Sequence, residues 1–480
     1  MNLRIVFGTL GNALAVLSIL LVPSAAVSAI YGERSFFSIV AVAAGSFLIG
    51  FLLKKVTRTG NKVIYAKEGF AVVALVWVFL SLVGALPFVI SGEIPSYVDA
   101  LFETASGITT TGATVLSDVS SLSHGLQFWR CFTHWIGGMG VLVLIMAVTK
   151  STTDRSIHIM RAEMPGPVIG KLMPKAGDTA KILYIIYIGM TAAEIIMLLC
   201  GGMSLYESVI HALSTAGTGG VNNQPDSLAG YSSYIQWVVT VFMALFGINF
   251  NLYYLLLIGK VKSAVKSGEL WCYVSVILVS TGLIFWNTRG LFVSDSEAVK
   301  TAAFQVSSII TTTGFVVTDI NAWPTFSKTI LVMLMLMGGC AGSTAGGFKI
   351  SRVIMLIKVA GRELKKLLHP RSVKAVRAEG KQVDEATLSS VSAYFTVYSL
   401  CLIVIILLLS LDKFNFETNV TAAVSCFNNV GPVFGNAVPA GTFGGFSVFS
   451  KLVLTFAMLL GRLEIFPILI WLAPTTWSKN

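Results

Sequence analysis

Apolar runs long enough to cross about 30 Å of hydrocarbon recur along the whole chain, near residues 5–30, 35–53, 69–91, 127–149, 182–203, 234–259, 270–288, 323–360, 390–411 and 446–473. Lipid offers the backbone no hydrogen-bond partner, so runs of this kind fold as helices. Only 12% of the 480 residues are charged and 55% are hydrophobic, against about 25% charged in ordinary soluble domains. The expected class is an all-α polytopic membrane protein in contact with membrane lipid. Only 323–360 carries an evident internal break.

A net charge of +11 could point to nucleic acid, but the positive residues occupy alternate loops. Lys54, Lys55, Arg58, Lys62 and Lys67 fall in one. Lys150, Arg155, Arg161, Lys171, Lys175 and Lys181 fall in the next, and Lys260, Lys262 and Lys266 in a third. The segment 349–381 is richer still, whereas 92–126 and 204–233 hold no Lys or Arg. The positive-inside rule therefore makes the basic loops and both termini cytoplasmic, with no nucleic-acid partner. Arg4, an apolar run and Pro23-Ser24-Ala25-Ala26 look like a signal peptide. A run of about 26 residues exceeds the usual 7–15, so an uncleaved first span is expected. The six cysteines, Cys131, Cys200, Cys272, Cys340, Cys401 and Cys426, include no C-x-x-C pair and suggest neither disulfide nor zinc.

Between these runs, at roughly hundred-residue intervals, stand four glycine-bearing tripeptides: Thr110-Thr111-Gly112, Gly217-Thr218-Gly219, Thr312-Thr313-Gly314 and Asn429-Val430-Gly431. Repetition at a fixed period means one structural unit used four times. Each tripeptide follows a segment of about a dozen residues (97–109, 204–215, 296–310 and 415–428), too short to cross a bilayer as a helix. Such segments suit re-entrant helices that bring a C-terminal partial negative charge to an axis. Non-helical backbone at membrane depth is tolerated where it lines a cavity. Carbonyls aligned on one side need backbone angles of alternating sign, which a Cβ resists, and rings of carbonyls can replace the water around a cation. The hydroxyls of Thr110, Thr111, Thr312 and Thr313 can add further oxygens.

The fold expected is four pseudo-repeated helix–pore-helix–filter–helix units around one pore, plus two N-terminal transmembrane helices. The division is 1–60 for the two N-terminal helices, then 61–155, 156–268, 269–380 and 381–480 for the four repeats, the third with an interrupted second helix.

The residues also resemble a known family. "SGITTTGATVL", "HALSTAGTGGV", "SSIITTTGFVVTD" and "CFNNVGPVFG" look like the four filter loops of the Trk/Ktr/HKT potassium-transporter superfamily. "FTHWIGGMGVLVL", "GGCAGSTAGGFKISR", "HPRSVKAVR" and "LGRLEIF" are similar to its TrkH branch. The resemblance covers about residues 60–475 and implies that Gly112, Gly219, Gly314 and Gly431 are filter glycines. Glycine at the first of these implies potassium, because a serine there accompanies sodium permeation in relatives. Gly217 departs from the pattern, since a hydroxyl-bearing residue is expected there and its lack would weaken the innermost ion site.

Asp118, Asp226 and Asp319 follow their glycines closely, and Asn436 takes that place in the fourth loop. They would concentrate cations at a pore mouth by field focusing or serve as solvated loop carboxylates. Within 323–360 lie Gly338, Gly339, Gly342, Gly346 and Gly347, with Ser343 and Thr344 between. Each glycine costs a helix about 1 kcal/mol relative to alanine, so the run should break into a loop across the pore. "GSTAGGFK" looks superficially like a phosphate-binding loop, but Phe348 stands where lysine is required and no strand precedes it.

Arg462 lies mid-span, where a guanidinium costs about 2.5–3.5 kcal/mol on insertion scales and should face protein or water. The free carbonyls of the broken helix are suitable acceptors, and the resemblance implies that Arg462 and the loop form a gate. An Arg462–Glu464 pair is the competing reading, though residues two apart on a helix do not face each other. Glu103, Glu207, His211 and Glu194 are expected to tie short helices to neighbouring spans, with a proton relay as the alternative.

The expected function is potassium uptake across a bacterial cytoplasmic membrane, by a protein that is not an enzyme and carries no cofactor beyond the transported ion. A sodium-coupled or sodium-permeant transporter of the same superfamily is the alternative. An intramembrane enzyme is a remote one, because none of the five histidines pairs with another at helical spacing. The resemblance further implies a homodimer with one pore per subunit. It also implies a cytosolic ring of nucleotide-binding regulatory subunits on the basic loops, at 150–181 and 361–385.

Overall fold

The computed structural model describes residues 3–57, 66–140, 176–224, 226–371, 375–379, 381–435 and 442–477. The expected boundary at 155/156, most of the basic loop 150–181, and Asn436 lie outside them. Among the described residues, six helices are long and apolar enough to cross a membrane: Val6–Ile30, Ser35–Val56, Glu68–Ser91, Asp178–Cys200, Gly268–Leu291 and Glu385–Leu409. The only strands among the described residues are Arg377–Ala378 and Lys381–Gln382, an antiparallel hairpin.

The two N-terminal helices cross at Gly11 and Gly50, where a Cβ on Gly50 would lie 2.7 Å from the Gly11 carbonyl oxygen. Small residues at a crossing let membrane helices approach backbone to backbone. Ile185, Ile188, Leu278, Trp286, Ile403 and Leu407 are exposed on the long helices, as suits side chains facing acyl chains.

The four short helices form where periodicity and length placed them: Tyr97–Ile108, Leu205–Gly217, Asp295–Ile310 and Phe416–Phe427. Each starts at a side chain that accepts an otherwise orphaned backbone N–H. Ser96 accepts from Asp99, Ser204 from Glu207, Ser294 from Glu297 and Asn415 from Thr418. Ser204 and Glu207 complete a reciprocal capping box.

Two runs read as continuous are broken. Ser233–Phe246 and Phe250–Leu257 meet at 90°, and Val448–Arg462 and Phe466–Leu472 at 118°. At the first break the Gly247 carbonyl turns aside to accept the Cys340 N–H at 3.0 Å, and Asn249 caps the new helix through the Asn251 N–H at 2.9 Å. At the second, Glu464 and Ile465 take positive φ of 51° and 66° before Pro467 starts the next helix. The run 323–360 breaks as expected, into Thr325–Met337 and Ile350–Leu368. His124–Met139 also ends at a positive-φ residue, Gly140.

Glu33, between the first two spans, ties the N-terminal pair to the rest. Its carboxylate accepts the His124 N–H at 2.7 Å, the Gly125 N–H at 3.0 Å and lies 2.9 Å from His124 Nδ1. Burial alone would raise its pKa, but those donors outweigh it and the pKa is lowered. A carboxylate with a depressed folded-state pKa contributes stability above its unfolded pKa and loses it as pH falls through the folded one. Glu33→Gln is therefore expected to lower the thermal midpoint in detergent at pH 7. The gap to the parent should narrow as pH falls below the ordinary carboxylate range. A gap independent of pH would remove the charge from this link.

Candidate functional site

The N–H groups decide how the four loops are built. After each short helix one residue enters the left-handed region: Thr110, Thr218, Thr312 and Asn429, at φ of 57°, 55°, 56° and 56°. The next residue turns its N–H back to the carbonyl five positions earlier. Thr111 donates to Ser106 at 2.8 Å, Gly219 to Ser214 at 2.9 Å, Thr313 to Ser308 at 2.8 Å and Val430 to Ser425 at 2.9 Å. A glycine of positive φ follows: Gly112 at 78°, Gly220 at 64°, Gly314 at 84° and Gly431 at 102°. Among the described residues no N–H or O–H donates to the carbonyls of these twelve residues.

The loops close into a ring. A Cβ added to Gly112 would fall on the Gly219 carbonyl oxygen, and one on Gly220 on that of Thr313. One on Gly314 would fall on the Val430 carbonyl, and one on Gly431 would lie 2.6 Å from that of Thr111. Each glycine thus abuts the central carbonyl of the next loop, and the fourth returns to the first.

This geometry corrects the register of the second loop. Its tripeptide is Thr218-Gly219-Gly220, with Gly220 in the place of Gly112, Gly314 and Gly431. Gly217 ends the helix, so the first position does carry a hydroxyl, on Thr218, and the missing side chain is at Gly219. The sequence Gly217-Thr218-Gly219-Gly220 fits a glycine-bearing tripeptide in two registers. Aligning the threonine with Thr110 and Thr312, rather than the glycine, would have found the right one.

Of the four threonine hydroxyls named above, three are engaged by protein partners, while that of Thr110 has no partner among the described residues. Thr111 and Thr313 point behind the loops, 2.8 Å from the Thr109 hydroxyl and 2.7 Å from that of Thr311. The Thr312 hydroxyl instead accepts the Gly346 N–H at 2.6 Å. Asn429 donates to the Thr111 hydroxyl at 2.9 Å and to the Met458 carbonyl at 3.0 Å.

On one side the four glycines open into a cavity of about 690 Å³, which Asp226 and Asp319 also line. Asp118 is not among its lining residues; it caps a turn through the Ser120 N–H at 2.9 Å. Glu103, fully buried, accepts from the Thr114 hydroxyl, the Val115 N–H at 2.6 Å and Arg130 Nε at 2.8 Å. It ties the exit of the first loop to its short helix and to the next span. Glu207 accepts from the Tyr231 hydroxyl at 3.1 Å, and the His211 ring packs edge-on to Tyr231. Glu194 is buried in its span.

On the other side, the segment 338–349 lies against the ring. Gly346 not only donates to Thr312; a Cβ there would lie 2.6 Å from the Asn428 carbonyl oxygen. The loop folds tightly on itself, with Gly347 and Gly338 backbone to backbone, Gly339 against Ala345, and Ser343 donating to the Cys340 carbonyl at 2.7 Å. It is tethered through Phe250 N–H to the Gly342 carbonyl at 3.0 Å and through Ala341 N–H to the Glu269 carboxylate at 2.7 Å.

Arg462 reaches across the space below. It donates to the Thr344 carbonyl at 2.8 Å and to the Gly137 and Gly138 carbonyls at 2.6 and 2.7 Å. It joins the end of His124–Met139 to the glycine loop, over a cavity of about 50 Å³. Glu464 does not pair with Arg462; it pairs with Arg352, whose guanidinium also lies 4.2 Å from the Tyr394 ring centre. Lys349, also buried, donates to the Ala345 carbonyl.

Membrane-length helices together with a ring of undonated carbonyls define a polytopic membrane protein. The family model described as cation transport protein TrkH matches residues 37–479. The Trk system potassium uptake protein TrkH of Salmonella typhimurium is 36% identical over 440 residues, 90% of each chain, and that of Escherichia coli K12 is 35% identical over 439 residues, again 90% of each. The crystal structure of the potassium transporter TrkH from Vibrio parahaemolyticus superposes with a TM-score of 0.90 at 31% identity, over 100% of both chains. The chain belongs to the TrkH family of cation transport proteins.

The corrected register is testable. Gly220→Ala should abolish cation uptake in cells lacking other uptake routes, because its Cβ falls on the Thr313 carbonyl and a left-handed alanine costs about 1–2 kcal/mol. Gly230→Ala, with nothing within 4 Å, is the matched control. Uptake by Gly220→Ala equal to that control would restore the other register.

Proposed function

We propose that this chain takes up potassium across the bacterial cytoplasmic membrane through a selective pore. The single observation that carries the reading is the ring of twelve undonated carbonyls at 110–112, 218–220, 312–314 and 429–431. Buried carbonyls without donors are costly, and dehydrated monovalent cations held between successive rings of four are the partners that relieve them. The relatives named for potassium uptake supply the ion's identity. On this reading the four repeats are 61–155, 156–268, 269–380 and 381–480, each with one short helix and one filter loop, and 1–60 is an N-terminal addition.

Both termini and the basic loops face the cytoplasm. Inward flow is driven by the membrane potential, worth about 2.3 kcal/mol per unit charge per 100 mV. Asp226 and Asp319 at the outer cavity raise the local cation concentration. Beneath the ring, Gly338, Gly339, Gly342, Ser343, Thr344, Gly346 and Gly347 form the gate with Arg462. Its guanidinium both holds the loop shut through Thr344 and repels a cation below the filter. The chain works as a homodimer with one pore per subunit, and a cytosolic nucleotide-binding ring docks on the basic cytoplasmic segments and moves the gate.

The test uses purified chain in liposomes under an inside-negative potential. Potassium influx should exceed sodium influx without a proton or sodium gradient; influx only with such a gradient would replace the pore by coupled transport. Arg462→Ala should raise potassium flux several-fold in the absence of any partner, and unchanged or lower flux would remove Arg462 from the gate. Gly314→Ser should raise sodium permeation relative to potassium. Selectivity equal to the parent would take the third loop out of the filter.

A further inference from the structure

Three of the four loops are backed by their own side chains. In the first, Thr109 and Thr111 join hydroxyls and Thr109 donates to the Ala105 carbonyl at 2.6 Å. In the third, Thr311 and Thr313 repeat this, with Thr311 donating to Ser307 at 2.6 Å. In the fourth, Asn428 accepts from the Tyr398 hydroxyl at 2.8 Å and donates to the Val424 carbonyl at 2.8 Å, beside Val430.

The second loop has glycine at both equivalent positions, Gly217 and Gly219. Glycine surrenders more conformational freedom on folding than any other residue, and Gly220 follows directly. Left alone, this loop would hold its carbonyls least firmly.

The empty space behind it is filled from another element. His134, on the helix His124–Met139, places its ring where a side chain of residue 219 would begin: a Cβ on Gly219 would fall on Nδ1. A Cβ on Gly217 would lie 3.0 Å from the His134 Cβ and would also strike its carbonyl. The helix approaches this closely because Gly138 meets Gly217, where a Cβ would lie 2.8 Å from the Gly217 Cα. The His134 ring is fully buried, and neither nitrogen has a hydrogen-bond partner among the described residues. What it supplies is volume against the back of Gly219.

We propose that His134 is a positioning residue for selectivity: its ring stands in for the missing side chain of the second loop and fixes the Gly219 carbonyl in the ring of ion-facing oxygens. This rests on the reading of the four loops as the filter. The neighbouring loop depends on the same placement, because the Gly219 carbonyl is the one that Gly112 abuts.

The experiment measures potassium-to-sodium permeability in liposomes for full-length variants. His134→Ala should lower the ratio several-fold, whereas His134→Leu, which keeps most of the volume, restores most of it. Gly219→Thr alone should block flux, since its side chain meets the imidazole. The pair His134→Ala with Gly219→Thr should conduct and recover selectivity, which loss of a merely structural residue would not allow. Should His134→Ala fail to fold, His134→Val replaces it with the same expectation.

A parental ratio in His134→Ala, or a ratio in His134→Leu as low as in His134→Ala, overturns the proposal. Gly314→Ser in the same assay separates the two levels. If it alters the ratio and His134→Ala does not, the filter stands and the wedge falls. If neither alters it, the filter reading itself has failed.

Discussion

Each loop of the ring depends on one backbone N–H turned backward into its own short helix. Thr111, Gly219, Thr313 and Val430 all donate to the carbonyl five residues earlier. That bond is possible only because the preceding residue, Thr110, Thr218, Thr312 or Asn429, accepts a left-handed backbone. A β-carbon there carries a penalty of about 1–2 kcal/mol. Strain of this kind persists where the surroundings over-determine it, and here the surroundings are the four loops themselves, each glycine lodged against the next loop's carbonyl. With the N–H groups engaged behind, the carbonyls are left for whatever occupies the centre.

The second consequence of the ring lies beneath it. Three spans break below their loops, at 247–249, 338–349 and 463–465, and the span His124–Met139 ends at Gly140. Broken helices expose carbonyls that lipid could not satisfy. Arg462 takes three of them, from Gly137, Gly138 and Thr344. A charge at that depth and carbonyls at the ends of broken helices thus satisfy each other, the Gly137 carbonyl sharing Arg462 with the Gly140 N–H. The bond from Gly346 to the Thr312 hydroxyl links the glycine loop directly to the ring, so neither can move without the other registering it.

Much of this was legible in the sequence because its determinants are local. Glycine repeats, short apolar segments and the five glycines of 338–347 each act within a few residues of themselves, and the short helices form within one or two residues of their expected bounds. The register of the second loop was not legible from glycine alone, since Gly217, Gly219 and Gly220 satisfy the pattern twice. The breaks near Gly247 and Glu464 were missed because a lone glycine in an apolar run reads as tolerable. Asn249 and Pro467 were the signals, as a cap and a helix start inside what looked like one span. The partners of Glu464 and Glu103, Arg352 and Arg130, are 112 and 27 residues away, and no periodicity announces such pairs.

The most direct test is anomalous diffraction from crystals of the purified chain soaked in rubidium, a potassium surrogate visible at its absorption edge. The account predicts rubidium on the axis between residues 110–112, 218–220, 312–314 and 429–431, bounded by their carbonyls. Rubidium confined to the outer cavity beside Asp226 and Asp319, with none between the loops, would contradict it.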